Sequence, residues 1–184
     1  MLADAIDSLN DSSKPFLIAE TGAVNDCHSG PFKYYCCDHN GMLFCDCVYS
    51  PVFLGSCGIG NIWHWDERYV ESKNLYKYYK PITTLCNKID FINECFESRI
   101  YENDNVIFLL LQGKNTTIGY LRNKSYNWEN VLRDLKEVES VKEFSISMED
   151  NSCYETVDIW DDETASVEIV NDKLVIQNIK YGLF

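Results

Sequence analysis

The apolar run Phe16 to Ala19 follows Lys14-Pro15 and stops at Glu20-Thr21-Gly22, which reads as a buried strand whose last residue is an acid. Such an acid either caps the loop that follows or offers a carboxylate for nucleophilic or acid–base work. A second short strand, Asn61 to Asp66, is opened by Gly58-Ile59-Gly60 and carries Trp63 and Trp65 at i, i+2. Residues two apart share a strand face, so the two indoles either pack together in a core or form a flat apolar platform at the strand end. His64 falls on the opposite face and is expected to pack behind the sheet. Asp66 ends this strand, while Asp26 and His28 lie in the loop after the first, where they can approach a bound molecule.

Cysteine is the other reactive type. Cys27-His28, Cys36-Cys37-Asp38-His39, Cys45 and Cys47 crowd one region, yet the C-x2-C spacing of recognisable zinc sites is missing, and no metal or other cofactor is expected. Nine cysteines cannot all pair, and without a visible signal peptide reduced thiols in a cytoplasmic chain are the expectation. Cys57 and Cys86 are expected to behave as small buried hydrophobes, and the adjacent Cys36-Cys37 pair to be reactive if it is exposed.

These residues need a scaffold, and composition bounds it. The 184 residues carry a formal charge of −13, with 46% apolar and 14% aromatic residues. That acidity works against phosphate backbones and anionic lipid, so no nucleic acid and no membrane is expected as a partner. The longest apolar runs, such as Val106 to Leu111, fall far short of the roughly 20 residues that span a bilayer. Eight of the nine cysteines and all four prolines precede residue 96, which places a domain boundary near 97, dividing 1–96 from 97–184.

Before that boundary, apolar spacing predicts helices at Met1 to Leu9, Met42 to Ser56 and Leu75 to Ile89, alternating with the two short strands, an order that points to parallel βαβ units. After it, seven strands are predicted: Ser98 to Glu102, Val106 to Gln112, Thr116 to Asn123, Glu143 to Met148, Tyr154 to Asp161, Ser166 to Val170 and Lys173 to Ile179. They fit a small antiparallel β-sandwich, with Trp128 and Trp160 anchoring its core or its contact with the first half. The fold class expected is therefore α/β plus all-β.

Lys14-Pro15-Phe16-Leu17-Ile18-Ala19-Glu20-Thr21-Gly22-Ala23 resembles strand seven of the (β/α)8-barrel retaining glycoside hydrolases, the clan that includes the family-5 cellulases and mannanases. Leu54-Gly55-Ser56-Cys57-Gly58-Ile59-Gly60 with Asn61-Ile62-Trp63-His64-Trp65-Asp66 resembles the end of helix seven and strand eight, and Leu75 to Asp90 resembles helix eight. The second half is similar to the C-terminal β-sandwich of many bacterial members. The resemblance implies a partial barrel, its last two βα units, followed by the sandwich. It makes Glu20 the inherited catalytic nucleophile, with Trp65, Trp63, His28 and Asp66 as substrate-binding residues on a β-linked glycan such as β-glucan or β-mannan. The family's acid/base stands at the end of strand four, which has no counterpart here, so the isolated chain is expected to be an inactive C-terminal fragment. Its further partners would be the missing N-terminal barrel portion or a second copy. The alternative expectation is a non-catalytic carbohydrate-binding or assembly module built on the sandwich.

Overall fold

The computed structural model describes residues 14–147, 166–170, 173–179 and 181–183. The expected helix at Met1 to Leu9, the strand at Tyr154 to Asp161, Trp160 and Cys153 lie outside them.

Helix α1, Met42–Phe53, starts where Gly41 turns left-handed (φ 63°) and the Asp38 carboxylate accepts the Met42 and Leu43 backbone N–H groups, each at 2.9 Å. This satisfies donors that a helix start otherwise leaves open. Apolar residues surround nearly the whole of α1, and Met42, Phe44, Cys45, Val48, Tyr49, Val52 and Phe53 are all buried, so it is an interior helix rather than an amphipathic surface one. The predicted helix from Leu75 to Ile89 divides into a 3-10 turn, Leu75–Tyr78, and helix α2, Tyr79–Cys86. Pro81 explains the break: it has no N–H to donate to Lys77, and in the first turn of α2 that loss costs nothing.

The two expected parallel strands, Phe16 to Ala19 and Asn61 to Asp66, are not extended ladders. They meet in one parallel bridge, Thr21 to Ile62, where Thr21 N–H donates to Asn61 O at 2.8 Å and Trp63 N–H to Thr21 O at 2.9 Å. A parallel strand persists when neighbours flank it, and here the carbonyl of Phe16 is instead taken by the Cys57 N–H at 2.9 Å. No barrel closes among the described residues.

Among the described residues seven antiparallel strands follow: β1 Glu97–Glu102, β2 Val106–Gln112, β3 Thr117–Asn123, β4 Val141–Ser147, β5 Ser166–Val170, β6 Lys173–Ile179 and β7 Tyr181–Leu183. They form one sheet in the order β1-β2-β3-β7 and another in the order β4-β6-β5. Val106, Phe108, Leu110 and Leu121 of the first sheet face Phe144, Ile146, Leu174 and Ile176 of the second. The opposite face of the first sheet presents Leu109, Leu111, Ile118 and Tyr120 to α1. There the Tyr120 ring packs against Tyr49 at 5.5 Å and Phe53 at 5.9 Å. The protein is thus a mixed α and β structure in three layers, with β2 and β3 in the middle. Burial on both faces is why β2 is continuously apolar instead of alternating. Secondary structure changes near residue 97, but the apolar core runs across that position. Trp128 fastens the same junction from the side, edge-on to Phe32 at 5.2 Å and tilted against Tyr34 at 5.6 Å.

One glycine sets how closely the Trp63 segment approaches α1. A Cβ on Gly60 would enter the Cys47 carbonyl oxygen and stand 3.0 Å from Pro51 Cγ, while the Gly60 N–H already donates to Val48 O at 3.0 Å. Gly60→Ala is expected to destabilise by about 3 kcal/mol, because the obstacle is helix backbone that cannot swing aside. A urea titration checks this, and a loss below about 1 kcal/mol, close to the scatter of surface substitutions, would mean that the loop yields.

Candidate active site

The cleft that draws the predicted residues together has a volume of about 360 Å³ and is lined by Glu20, Trp63, Trp65, Asp66 and Arg68 above a floor that includes Ile62. The parallel bridge builds it, because Glu20 directly precedes Thr21 on one strand and Trp63 directly follows Ile62 on the other. Alternation does the rest. Trp63 and Trp65 are 52% and 65% exposed, whereas His64 between them is 1% exposed. Both indoles therefore face solvent on the cleft side, and His64 packs behind against Tyr35, its ring centroid 5.7 Å away, as expected.

The Glu20 segment is held from behind by a relay of buried rings. Gly22 adopts φ 122°, a conformation suited to glycine, and the next residue, Ala23, donates its N–H to the Tyr35 hydroxyl at 2.8 Å. Tyr35 stacks on Tyr69 with centroids 3.9 Å apart and planes 12° from parallel. Tyr69 in turn donates its hydroxyl to Asp38 at 2.6 Å and accepts from the Phe44 N–H at 3.1 Å. Burial pushes both phenols well above the ordinary tyrosine range, so each remains a proton donor at neutral pH. Burial also raises Asp38, against the pull of the donors from Tyr69, Leu43 and Met42. His64 is shifted the other way: burial, with the Arg68 charge adding to it, lowers its pKa, and neither ring nitrogen has a hydrogen-bond partner among the described residues.

Asp66 lines the cleft and also shapes the turn after it. Its carboxylate accepts the Arg68 N–H at 3.1 Å and lies 3.7 Å from the Arg68 guanidinium, while its carbonyl accepts the Tyr69 and Glu71 N–H groups. Trp65 is steadied by Tyr76, whose hydroxyl donates to its carbonyl at 2.8 Å.

His28 does not line this cleft. The Asn25 side chain accepts the Cys27 and Ser29 N–H groups at 3.1 and 3.2 Å, drawing residues 25–30 into a tight loop in which His28 is left-handed (φ 55°) and exposed. Asp38 is committed to α1 and Tyr69, and no group of three His, Cys, Asp or Glu side chains gathers as a metal site among the described residues. Cys86 is half-buried, but Cys57 is exposed, contrary to expectation, because α1 stops at Phe53 and Gly55 (φ 94°) turns the chain outward. Arg68 and the Tyr35–Tyr69–Asp38 relay were missed by sequence reasoning. Among the described residues no helix is long and apolar enough to cross a membrane.

Comparison with known proteins found no matching family model, no matching curated protein and no matching solved structure.

Proposed function

We propose that this cleft is the nucleophile side of a retaining β-glycoside hydrolase site, carried on the last two βα units of a (β/α)8 barrel. The observation that carries this reading is the parallel bridge between Thr21 and Ile62, which sets Glu20 and the two exposed tryptophans at the same ends of adjacent parallel segments around one cleft. Barrel enzymes place their chemistry at such C-terminal strand ends. Glu20 attacks the anomeric carbon, Trp65 and Trp63 stack on the sugar's apolar face, and Asp66 with Arg68 bounds the subsite. A retaining mechanism needs a second carboxyl group roughly 5–5.5 Å from the first to protonate the leaving oxygen. In this reading that group comes from a polypeptide carrying the other six βα units, and the substrate is a β-linked glycan such as β-glucan or β-mannan.

The test is hydrolysis of aryl β-glycosides by the purified chain alone and mixed with a polypeptide of the remaining barrel units. Turnover in the mixture only is the expected result. Turnover by the chain alone would overturn the need for a complement, and none in either case would overturn the enzymatic reading.

The exposure of both indoles also favours a second reading, a non-catalytic glycan-binding surface. Trp65→Ala is expected to weaken oligosaccharide affinity about tenfold in either case, as loss of one stacking platform does. Isothermal titration checks it, and unchanged affinity would remove Trp65 from the subsite. Binding retained in Glu20→Gln without any turnover by a reassembled enzyme would select the binding module.

A further inference from the structure

The 3-10 turn Lys33–Cys37 ends on two adjacent cysteines that the glycan chemistry does not use. Both thiols are free and exposed, and their Sγ atoms stand 3.5 Å apart. Consecutive side chains on a helical turn ordinarily diverge, so this proximity is a property of the local backbone. That backbone is pinned. Lys73 Nζ donates to Cys36 O at 2.7 Å, the Cys36 thiol lies 3.1 Å from Lys33 O, and His39 N–H donates to Cys37 O at 2.9 Å. The hydrogen bond with Cys36 pushes the Cys37 thiol above its ordinary range, with the Lys73 charge pulling weakly the other way.

Two sulfurs bound about 2.3 Å from one centre, at angles between a right angle and the tetrahedral value, stand roughly 3.3–3.8 Å apart. The observed separation falls within that bite. A linear two-coordinate ion would require about 4.6 Å. Zinc would require two further donors, and no third His, Cys, Asp or Glu joins the pair among the described residues. What fits is a thiophilic centre with two open positions.

We propose that Cys36 and Cys37 form a dithiol site that chelates monosubstituted trivalent arsenicals. Both thiols add to an arsenic(III) oxide, R–As=O. Two As–S bonds form, the As–O bonding is lost, both thiol protons leave on that oxygen as one water, and no oxidation state changes. The pinned turn holds the sulfurs near their bound separation before the ligand arrives, so little freedom is lost on chelation.

The experiment mixes the full chain with phenylarsine oxide in a phosphine reductant that supplies no competing thiol, then reads intact mass, adduct position and dissociation constant. The expected result is a single adduct mapping to Cys36 and Cys37, removed by a small dithiol. Cys36→Ser and Cys37→Ser should each weaken binding about 100-fold or more, since one thiolate lacks the second, intramolecular bond. Cys27→Ser, Cys57→Ser and Cys95→Ser, at the other cysteines exposed among the described residues, should leave it unchanged. An adduct on another cysteine pair, or undiminished affinity in either Cys36→Ser or Cys37→Ser, would overturn the proposal. Both side chains are exposed, so serine is tolerated, and a thermal melt of each variant confirms that its fold persists.

Discussion

Under the proposed function, Glu20→Gln in the chain reassembled with the remaining barrel units is expected to lower kcat on an aryl β-glycoside by on the order of 10⁴-fold or more, with KM little changed. Glutamine keeps the shape of the side chain but has no charged oxygen to attack the anomeric carbon, so the covalent intermediate does not form. Glu20 is exposed at the cleft wall, and its replacement should shift stability by no more than about 0.5 kcal/mol, separating a chemical role from a structural one. A sharper signature comes from Glu20→Gly with added azide. A small anion in the vacated space can attack in place of the carboxylate, and the product then has the inverted anomeric configuration. Wild-type turnover in Glu20→Gln would move the nucleophile elsewhere, with Asp66, the other acid lining the cleft, the first candidate.

Asp38→Ala is expected to cost about 4 kcal/mol of folding stability, the sum of a lost helix cap and of donors left buried without an acceptor. Asp38 is 1% exposed, and its two oxygens receive the Met42 and Leu43 N–H groups and the Tyr69 hydroxyl. Alanine strands all three donors. The melting temperature should fall by about 10 °C for a protein of this size. Asp38→Asn keeps one acceptor oxygen and should lose about half as much. Because Tyr69 stacks on Tyr35 and Tyr35 holds Ala23, the damage should also reach the Glu20 segment, so the glycan affinity proposed for the cleft should be lost at temperatures below global unfolding. A melting temperature within about 2 °C of wild type in Asp38→Ala would show that the relay carries little of the stability.

Periodicity located β2, β5 and β6 to the residue, because a two-residue repeat or an unbroken apolar run is a local property of the chain. It failed for β7, whose three residues are too few to show a repeat. It placed strands at Phe16 to Ala19 and Asn61 to Asp66 where only a bridge forms, since whether an apolar run becomes a strand depends on which neighbours its carbonyls find, and Phe16 finds Cys57. Grouping Glu20 with Trp63, Trp65 and Asp66 required only that two strand ends lie side by side. His28 was misplaced because the Asn25 side chain, not chain length, decides where its loop turns. The Asp38–Tyr69 contact spans 31 residues and joins two segments with no periodic pattern, so nothing in either one announced it.

The middle position of β2 and β3 has a consequence for inheritance. A sheet with solvent on one side can be exchanged between proteins as a cassette, but this one lends Leu109, Leu111 and Tyr120 to the helical layer and Phe108 and Leu110 to the second sheet. Recombination near residue 97 would give each daughter protein half of an oily seam. The cleft-bearing segment and the β-rich half therefore constrain each other's substitutions, and an apolar change at Tyr49 or Phe53 must be answered at Tyr120. A substitution on one side of this seam is therefore felt on the other, whatever division the secondary structure displays.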